Sequence, residues 1–185
     1  MFQCSRQDMS VQTASIPQLV FSGVLLTLAA AGIYSIRKGA PWFPTSRRGI
    51  RALLRAAGLR AGERFVDAGC GDGTACLIAA REFGAEALGI EVNPVLFWVA
   101  KARVALSGTS RKVRIVRADL FKTPLGEADV LFLFLLQETN VALQEKLRRE
   151  LRPGTRVVSH AFTLPAFTET PIPGGDPRHH LYVVG

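Results

Sequence analysis

The sequence predicts a doubly wound, mostly parallel α/β sheet behind one apolar N-terminal helix, and three observations predict it. From Glu63 onward, short β-rich runs alternate with helical patterns. A glycine-rich turn, Gly69-Cys70-Gly71-Asp72-Gly73, follows the first of those runs directly. Between Met9 and Ile36 there is no Lys, Arg, His, Asp or Glu. Strand–helix alternation with short connections gives a sheet covered by helices on its faces. Ligands of such sheets bind at the carboxyl ends of the strands.

The chain of 185 residues suffices for one domain of about 120 to 150 residues plus an appendage. Hydrophobic residues make up 48% and mean hydropathy is +0.20, high for a domain alone. The excess lies in Ile16 to Ile36, which as a helix spans about 31 Å, one hydrocarbon core. Ser15 is placed to cap that helix, Pro17 falls in its tolerant first turn, and Arg37-Lys38 closes the run with charge. A secretory signal peptide competes, with Ala29-Ala30-Ala31 as a cleavage site, but its basic start is poor because Asp8 offsets Arg6. The expected organisation is a tail over 1–14, a transmembrane anchor over 15–38, a linker with a basic helix over 39–60, and a globular domain over 61–185.

Charge is equally uneven. Residues 1–60 carry eight Lys or Arg and one acid, Asp8, while the remainder carries fifteen basic and fourteen acidic side chains. A nucleic-acid-binding domain would hold the excess itself, so no nucleic-acid partner is expected. The basic flank after residues 16–36 instead suggests membrane lipid as a partner. By the positive-inside rule it also suggests a single-pass protein with its domain in the cytoplasm. Residues 45–58 read as an amphipathic helix capped by Thr45 or Ser46 and ended by Gly58. Ile50, Leu53, Leu54 and Ala57 lie on one side, and Arg47, Arg48, Arg51 and Arg55 largely on the other. Those arginines form either a solvated face or a contact with anionic headgroups. The three cysteines form no regular framework, which fits a reducing compartment, with Cys70 and Cys76 as small packed residues.

Within the domain, strands are expected near 64–68, 87–91, 113–118, 129–134, 155–162 and 181–184. Helices are expected near 73–83, 94–107 and 139–151. Pro165 to Pro177 contains four prolines and two glycines and reads as a loop. The glycines after the first strand let the backbone turn tightly and approach a ligand, yet that alone also suits a nucleotide dehydrogenase. Two details argue otherwise. Thr74 stands where the dinucleotide fingerprint needs Gly or Ala. In addition, Asp67 and Asp72 flank the turn, whereas a pyrophosphate prefers amide donors without nearby acids. A phosphate-binding loop of the Gly-Lys-Ser/Thr kind is also absent. Acids suit a cationic ligand, such as the sulfonium and ammonium of S-adenosylmethionine. Glu91, ending the second strand, is placed to accept both ribose hydroxyls. Asp119, after the third, is placed to accept from an adenine amino group, with Leu120 or Phe121 against the ring.

With those residues in place, Asp67-Ala68-Gly69-Cys70-Gly71-Asp72-Gly73, Glu91 and Asp119 resemble the class I methyltransferases. Three further stretches resemble a narrower group: Pro41-Trp42-Phe43-Pro44-Thr45, Glu91-Val92-Asn93-Pro94-Val95-Leu96 and Asp119-Leu120-Phe121. That group is the membrane-tethered protein-lysine methyltransferases that modify the ATP synthase c-ring protein and the adenine nucleotide translocase. The resemblance runs from the apolar segment to the C-terminus. It implies a Rossmann-like class I methyltransferase fold with a shortened C-terminal part, S-adenosylmethionine as cofactor, and a membrane-associated protein acceptor. The implied cofactor set is Asp67, Ala68, Gly69, Cys70, Gly71, Asp72, Gly73, Glu91, Val92, Asn93, Asp119 and Leu120. The chain departs from the group at Leu136-Gln137, where relatives commonly have Pro-Gln, and at Cys70 and Thr74, where Ser and Arg are usual.

Methyl transfer to an amine is an in-line displacement that positioning and desolvation can largely supply. Burial keeps a lysine amine neutral, so no strong base is required. Gln137 is the candidate catalytic residue, orienting the amine through its carbonyl, against a plain helix-start residue. Glu138 is either a base or a first-turn acid favoured by the helix dipole. Trp42, Phe43, Pro44 and Thr45 are candidates for the substrate channel, or else a stiff linker. His160 is expected as a packed core histidine and His179-His180 in an exposed loop, and no metal-ligand spacing involves them. The stretch Phe132 to Gln137 lacks the Asn/Asp-Pro-Pro-aromatic clamp of base-methylating enzymes, which disfavours a nucleic-acid acceptor. A lipid or other apolar acceptor, or a non-catalytic binding module, stands as the alternative.

Overall fold

The structure is a computed structural model that describes residues 15–26 and 46–185. Residues 16–26 are helical (α1) and belong to a compact unit of their own, Met1–Ala30. The Ser15 N–H donates to Gln18 Oε1 at 2.9 Å, the reciprocal half of a capping box. Among the described residues no helix is long and apolar enough to cross a membrane. This overturns the expected single-pass placement with a cytoplasmic domain. The rest of the apolar run, 27–36, and the candidate channel residues Trp42, Phe43, Pro44 and Thr45 lie outside the described residues.

The second unit, Ala31–Gly185, contains the sheet. Its elements are α2 (Arg47–Ala56), β1 (Arg64–Ala68), α3 (Thr74–Glu82), β2 (Glu86–Glu91), α4 (Pro94–Leu106), β3 (Val113–Arg117), β4 (Val130–Leu133), α5 (Gln137–Glu150), β5 (Arg156–His160), β6 (Glu169–Thr170) and β7 (His179–Val183). The strand order is β3-β2-β1-β4-β5-β7-β6. Pairs from β3 through β5 are parallel, while β7 runs antiparallel to both β5 and β6. The order reverses between β1 and β4, and that switch point opens a crevice at the carboxyl ends.

Local chemistry explains the helix boundaries. Ser46 Oγ accepts from the Gly49 N–H at 3.1 Å and starts α2. Asn93 Oδ1 accepts from Val95 and Leu96 N–H at 2.8 and 3.3 Å, and Pro94 opens α4. Helix α5 ends before Pro153-Gly154. The strand β4, Val-Leu-Phe-Leu, is buried throughout, as a central parallel strand covered on two faces must be.

Two cores flank the sheet. On one face α2 and α3 pack over Phe65, Phe132 and Val158; on the other, Leu143 and Leu147 of α5 pack over Leu131 and Val157. The stripe Ile50, Leu53 and Leu54 is fully buried, so α2 is core to the domain rather than a linker. Arg51 clasps Glu82 of α3 at 2.7 and 2.8 Å. Arg156 of β5 binds the Ala57 and Gly58 carbonyls, each at 3.0 Å, and Glu63 at 2.7 Å. Two expectations for the C-terminal region need correction. Glu169–Thr170 forms a short edge strand inside the Pro165–Pro177 stretch, because its backbone pairs with Tyr182 and Leu181. The residues His179-His180 open β7 instead of lying in an exposed loop, and His179 is buried against Gly49 of α2.

Removing the α2 contact measures its weight. Leu54→Ala is expected to lower unfolding free energy by about 2–5 kcal/mol in chemical denaturation. A loss below about 1 kcal/mol would mean that α2 is peripheral.

Candidate functional site

The site is built on the carboxyl ends of β1, β2 and β3. Strand β1 delivers Asp67 one residue before its end, and Gly69 then turns the chain with φ 98°. A Cβ on Gly69 would lie 2.9 Å from Leu135 Cδ2, which would have to shift, and the left-handed φ itself favours glycine there. Gly73 (φ 78°) starts α3.

Glu91, at the end of β2, organises this turn. One carboxylate oxygen accepts from the Gly71 N–H at 2.8 Å, and the other from the Asn93 N–H at 2.7 Å. Each oxygen keeps a second lone pair. Val92 and Asn93 follow, and Asn93 serves as the α4 cap described above. Asp119, half-buried beyond β3, accepts from the Phe121 N–H at 2.9 Å, which fixes the turn carrying Leu120.

Asp67 is only 3% exposed and Glu91 6%. Burial pushes the Asp67 carboxyl up to about 8, and the neighbouring charges of Glu91 and Asp72 add to it. Burial also raises Glu91, while its backbone N–H donors oppose that rise. Two carboxyls so disfavoured as anions fit a cation. Asp72 contributes less than its position suggests, because Arg103 of α4 pairs with it. Arg103 also donates to the Asp72 carbonyl at 2.8 Å and to Thr74 Oγ1 at 3.0 Å. Arg103 lies 31 residues from Asp72 on an apolar helix, and no sequence pattern singles it out. Cys70 and Cys76 are buried and free. Their mutual hydrogen bond and burial hold the Cys70 thiol well above its usual range, which makes it an inert packing group.

The carboxyl ends of β4 and β5 lie beside this turn. Gln137 opens α5, but its carbonyl accepts from the Thr163 N–H at 3.1 Å and its amide donates to the Thr163 carbonyl at 3.2 Å. The side chain expected to orient an amine is thus spent on tying the loop after β5. Glu138 is exposed in the first turn of α5. His160 is packed as expected, edge-on to Phe134 with centroids 4.7 Å apart and 5.3 Å from His179. Burial holds both imidazoles below their ordinary range and therefore neutral. Next to His160, Ala161 adopts φ 68°, the one left-handed non-glycine among the described residues. Such strain collects near functional sites. An alanine in the sequence gives no signal of it. Among the described residues no group of three or more His, Cys, Asp or Glu is disposed to hold a metal ion.

Fold and site together define a class I S-adenosylmethionine-dependent methyltransferase. The solved structure of an RNA methyltransferase from Salinibacter ruber in complex with S-adenosyl-L-homocysteine superposes with a TM-score of 0.69 at 31% identity. The match covers 77% of this chain and 92% of that one. The chain belongs to the ANTKMT methyltransferase family, whose domain matches residues 67–170. A protein-lysine N-methyltransferase of Saccharolobus islandicus is 34% identical over 78% of this chain and 94% of its own length. The adenine nucleotide translocase lysine N-methyltransferase of Mus musculus is 34% identical over 75% of this chain and 60% of its own. This bears out the family resemblance and the expected enzyme class.

The raised Asp67 carboxyl sets a pH dependence. A carboxyl whose folded value exceeds its unfolded 3.8 lends stability that is complete below 3.8 and lost as pH rises toward 8. Asp67→Asn is therefore expected to melt above the wild type near pH 8.5 without cofactor, with the difference closing as pH falls to about 4. Calorimetric affinity of the wild type for S-adenosylmethionine should rise between about pH 6.5 and 9, and that rise should vanish in Asp67→Asn.

Proposed function

We propose that this chain transfers the methyl group of S-adenosylmethionine to the ε-amine of a lysine in an acceptor protein. The observation that carries the reading is the ordered set of carboxyls at three successive strand ends, Asp67, Glu91 and Asp119, in a chain of this family. In this reading Glu91 accepts from the ribose hydroxyls with its spare lone pairs while holding the Gly71 and Asn93 amides. The Asp119 carboxylate faces the adenine amino group, with Leu120 against the ring. Gly69, Cys70, Gly71 and Gly73 let the backbone approach the methionine portion, and Asp67 with Ala68 supplies the buried floor beneath it. S-adenosylmethionine, once bound, supplies an electrophilic methyl on a cationic sulfur.

The acceptor amine enters over the ends of β4 and β5. Phe134, Leu136 and the Ala161–Thr163 loop would surround it there with largely apolar walls. Such walls favour the neutral amine, whose lone pair is the nucleophile. Gln137 acts as a positioning residue through Thr163. A membrane-associated protein is the favoured acceptor, in keeping with the adenine nucleotide translocase for which the mouse relative is named. The Salinibacter relative, an RNA methyltransferase by name, gives RNA acceptors a specific claim as the second reading.

The test is a transfer assay with methyl-labelled cofactor and cell extract separated into protein, lipid and RNA. Label is expected in protein, on lysine by mass spectrometry. Label confined to lipid or RNA would sink the lysine reading. Glu91→Ala is expected to weaken cofactor affinity at least about tenfold. Gln137→Ala should leave that affinity unchanged while lowering kcat.

A further inference from the structure

Strands β1 to β3 and helix α4 line an open groove of about 1000 Å³ that reaches the free edge of β3. Strand β3 ends the sheet. The Ala87 N–H donates to the Lys112 carbonyl at 2.8 Å, and the Ala118 N–H to the Glu91 carbonyl at 3.1 Å. This parallel register turns the even-numbered residues of the strand toward β2. The backbone N–H and C=O of Ile115 and Arg117 therefore face outward. Phe97 and Val104 of α4 wall the groove, while Trp98 (64% exposed) and Leu106 (89%) stand uncovered on the same helix. No helix occupies the 118–129 connection, so Leu88 and Val116 also stay half-exposed.

Cations outnumber acids at this edge. Arg64, Lys101, Arg111, Lys112, Arg114 and Arg117 line the groove, six of the fifteen cations after residue 60. The acids there are Glu86 and Glu127, and Arg64 already holds Glu127 at 2.5 Å. Arg111, Arg114 and Arg117 have no ion-pair partner among the described residues. Charges on an edge strand ordinarily deter pairing, but an edge carrying mostly cations deters only its own kind and attracts an acidic strand.

We propose that this groove docks an extended, acidic segment of the acceptor protein as an added strand on β3. Its backbone would pair with Ile115 and Arg117, its carboxylates would meet Arg111 and Arg114, and alternate apolar side chains would pack on Phe97 and Val104. A polynucleotide fits less well. Phosphodiesters have no backbone donors for the free carbonyls of a sheet edge. The edge lies three strand spacings from β4, about 14 Å. Four or five extended residues would link the docked segment to a lysine at the methyl-transfer end. That the docked protein is the methyl acceptor rests on the lysine-methyltransferase reading; the binding itself does not.

The probe is a fluorescein-labelled octapeptide of alternating Glu and Val, titrated with the full chain by anisotropy. Saturable binding is expected that weakens with salt and falls about tenfold or more in the double variant Arg111→Glu/Arg114→Glu. N-methylation of alternate peptide amides should abolish it, since that removes strand pairing but no charge. Cofactor affinity and melting temperature of the double variant should match the wild type, showing that the fold is intact. Binding that survives either the charge reversal or the N-methylation would overturn the proposal. So would an oligouridine of equal charge that binds tighter than the peptide and loses affinity in the same variant. If peptide binding behaves as expected while label fails to reach protein lysine, the groove stands and the acceptor reading falls.

Discussion

Two carboxyl groups buried side by side, Asp67 and Glu91, constrain the rest of this structure. Each sits at the end of a central strand, and neither is placed where water can solvate it. Such a pair is unfavourable as two anions, and the protein answers with backbone instead of side-chain cations. The Gly71 and Asn93 amides hold Glu91, while Asp67 is left near neutrality with no cation of its own. The glycine turn follows from this arrangement. Only a chain that reverses immediately after β1 can bring the Gly71 N–H back onto Glu91, and Gly69 makes that turn in the left-handed region. A cationic ligand thus completes an electrostatic arrangement that the fold has set up and not closed. Arg103 stays outside it by engaging Asp72, so the nearest protein cation does not compete for the buried pair.

The same sheet positions the second half of the site with little material. One helix, α5, covers β4 and β5 on its face, and the connections after β3 and β5 carry no helix at all. Positioning in that half is consequently done by side chains reaching backbone. Gln137 holds Thr163, and Asn140 donates to Ser159 Oγ and the Phe162 carbonyl at 3.2 and 3.3 Å. Tyr182 accepts from the Leu164 N–H at 3.0 Å. These bonds hold the loop after β5 in a shape that forces Ala161 into the left-handed region.

Periodicity carries most of the fold in the sequence. The first three strands of the parallel sheet are each followed by a glycine, acid or proline signal, and the apolar runs of β4 and β5 are marked by their composition, so β1 to β5 fall within a few residues of expectation. The strand-end acids are legible because an acid after an apolar run is locally anomalous. What stays hidden depends on partners distant in the chain. Nothing local in Glu169-Thr170 marks a strand; its pairing with β7 makes it one. His179-His180 reads as polar loop because the helix that buries His179, α2, comes more than 120 residues earlier. The basic face of residues 45–58 reads equally well as surface or membrane contact, since Glu82, which pairs with Arg51, belongs to another element.

Because methyl transfer to a neutral amine needs geometry and dryness more than an acid or a base, the reacting end carries little information about which protein is modified. Phe134, Leu136 and the loop at Thr163 can desolvate any lysine that reaches them. Selectivity must then be a difference in binding made elsewhere on the surface. In this domain the features able to supply one converge at the edge of β3: unsatisfied backbone groups, an uncovered apolar helix and a concentration of cations. The lack of a helix between β3 and β4, which shortens the fold, is also what leaves Leu88 and Val116 open there. On the docking proposal, the economy in the fold and the means of choosing an acceptor are the same structural feature.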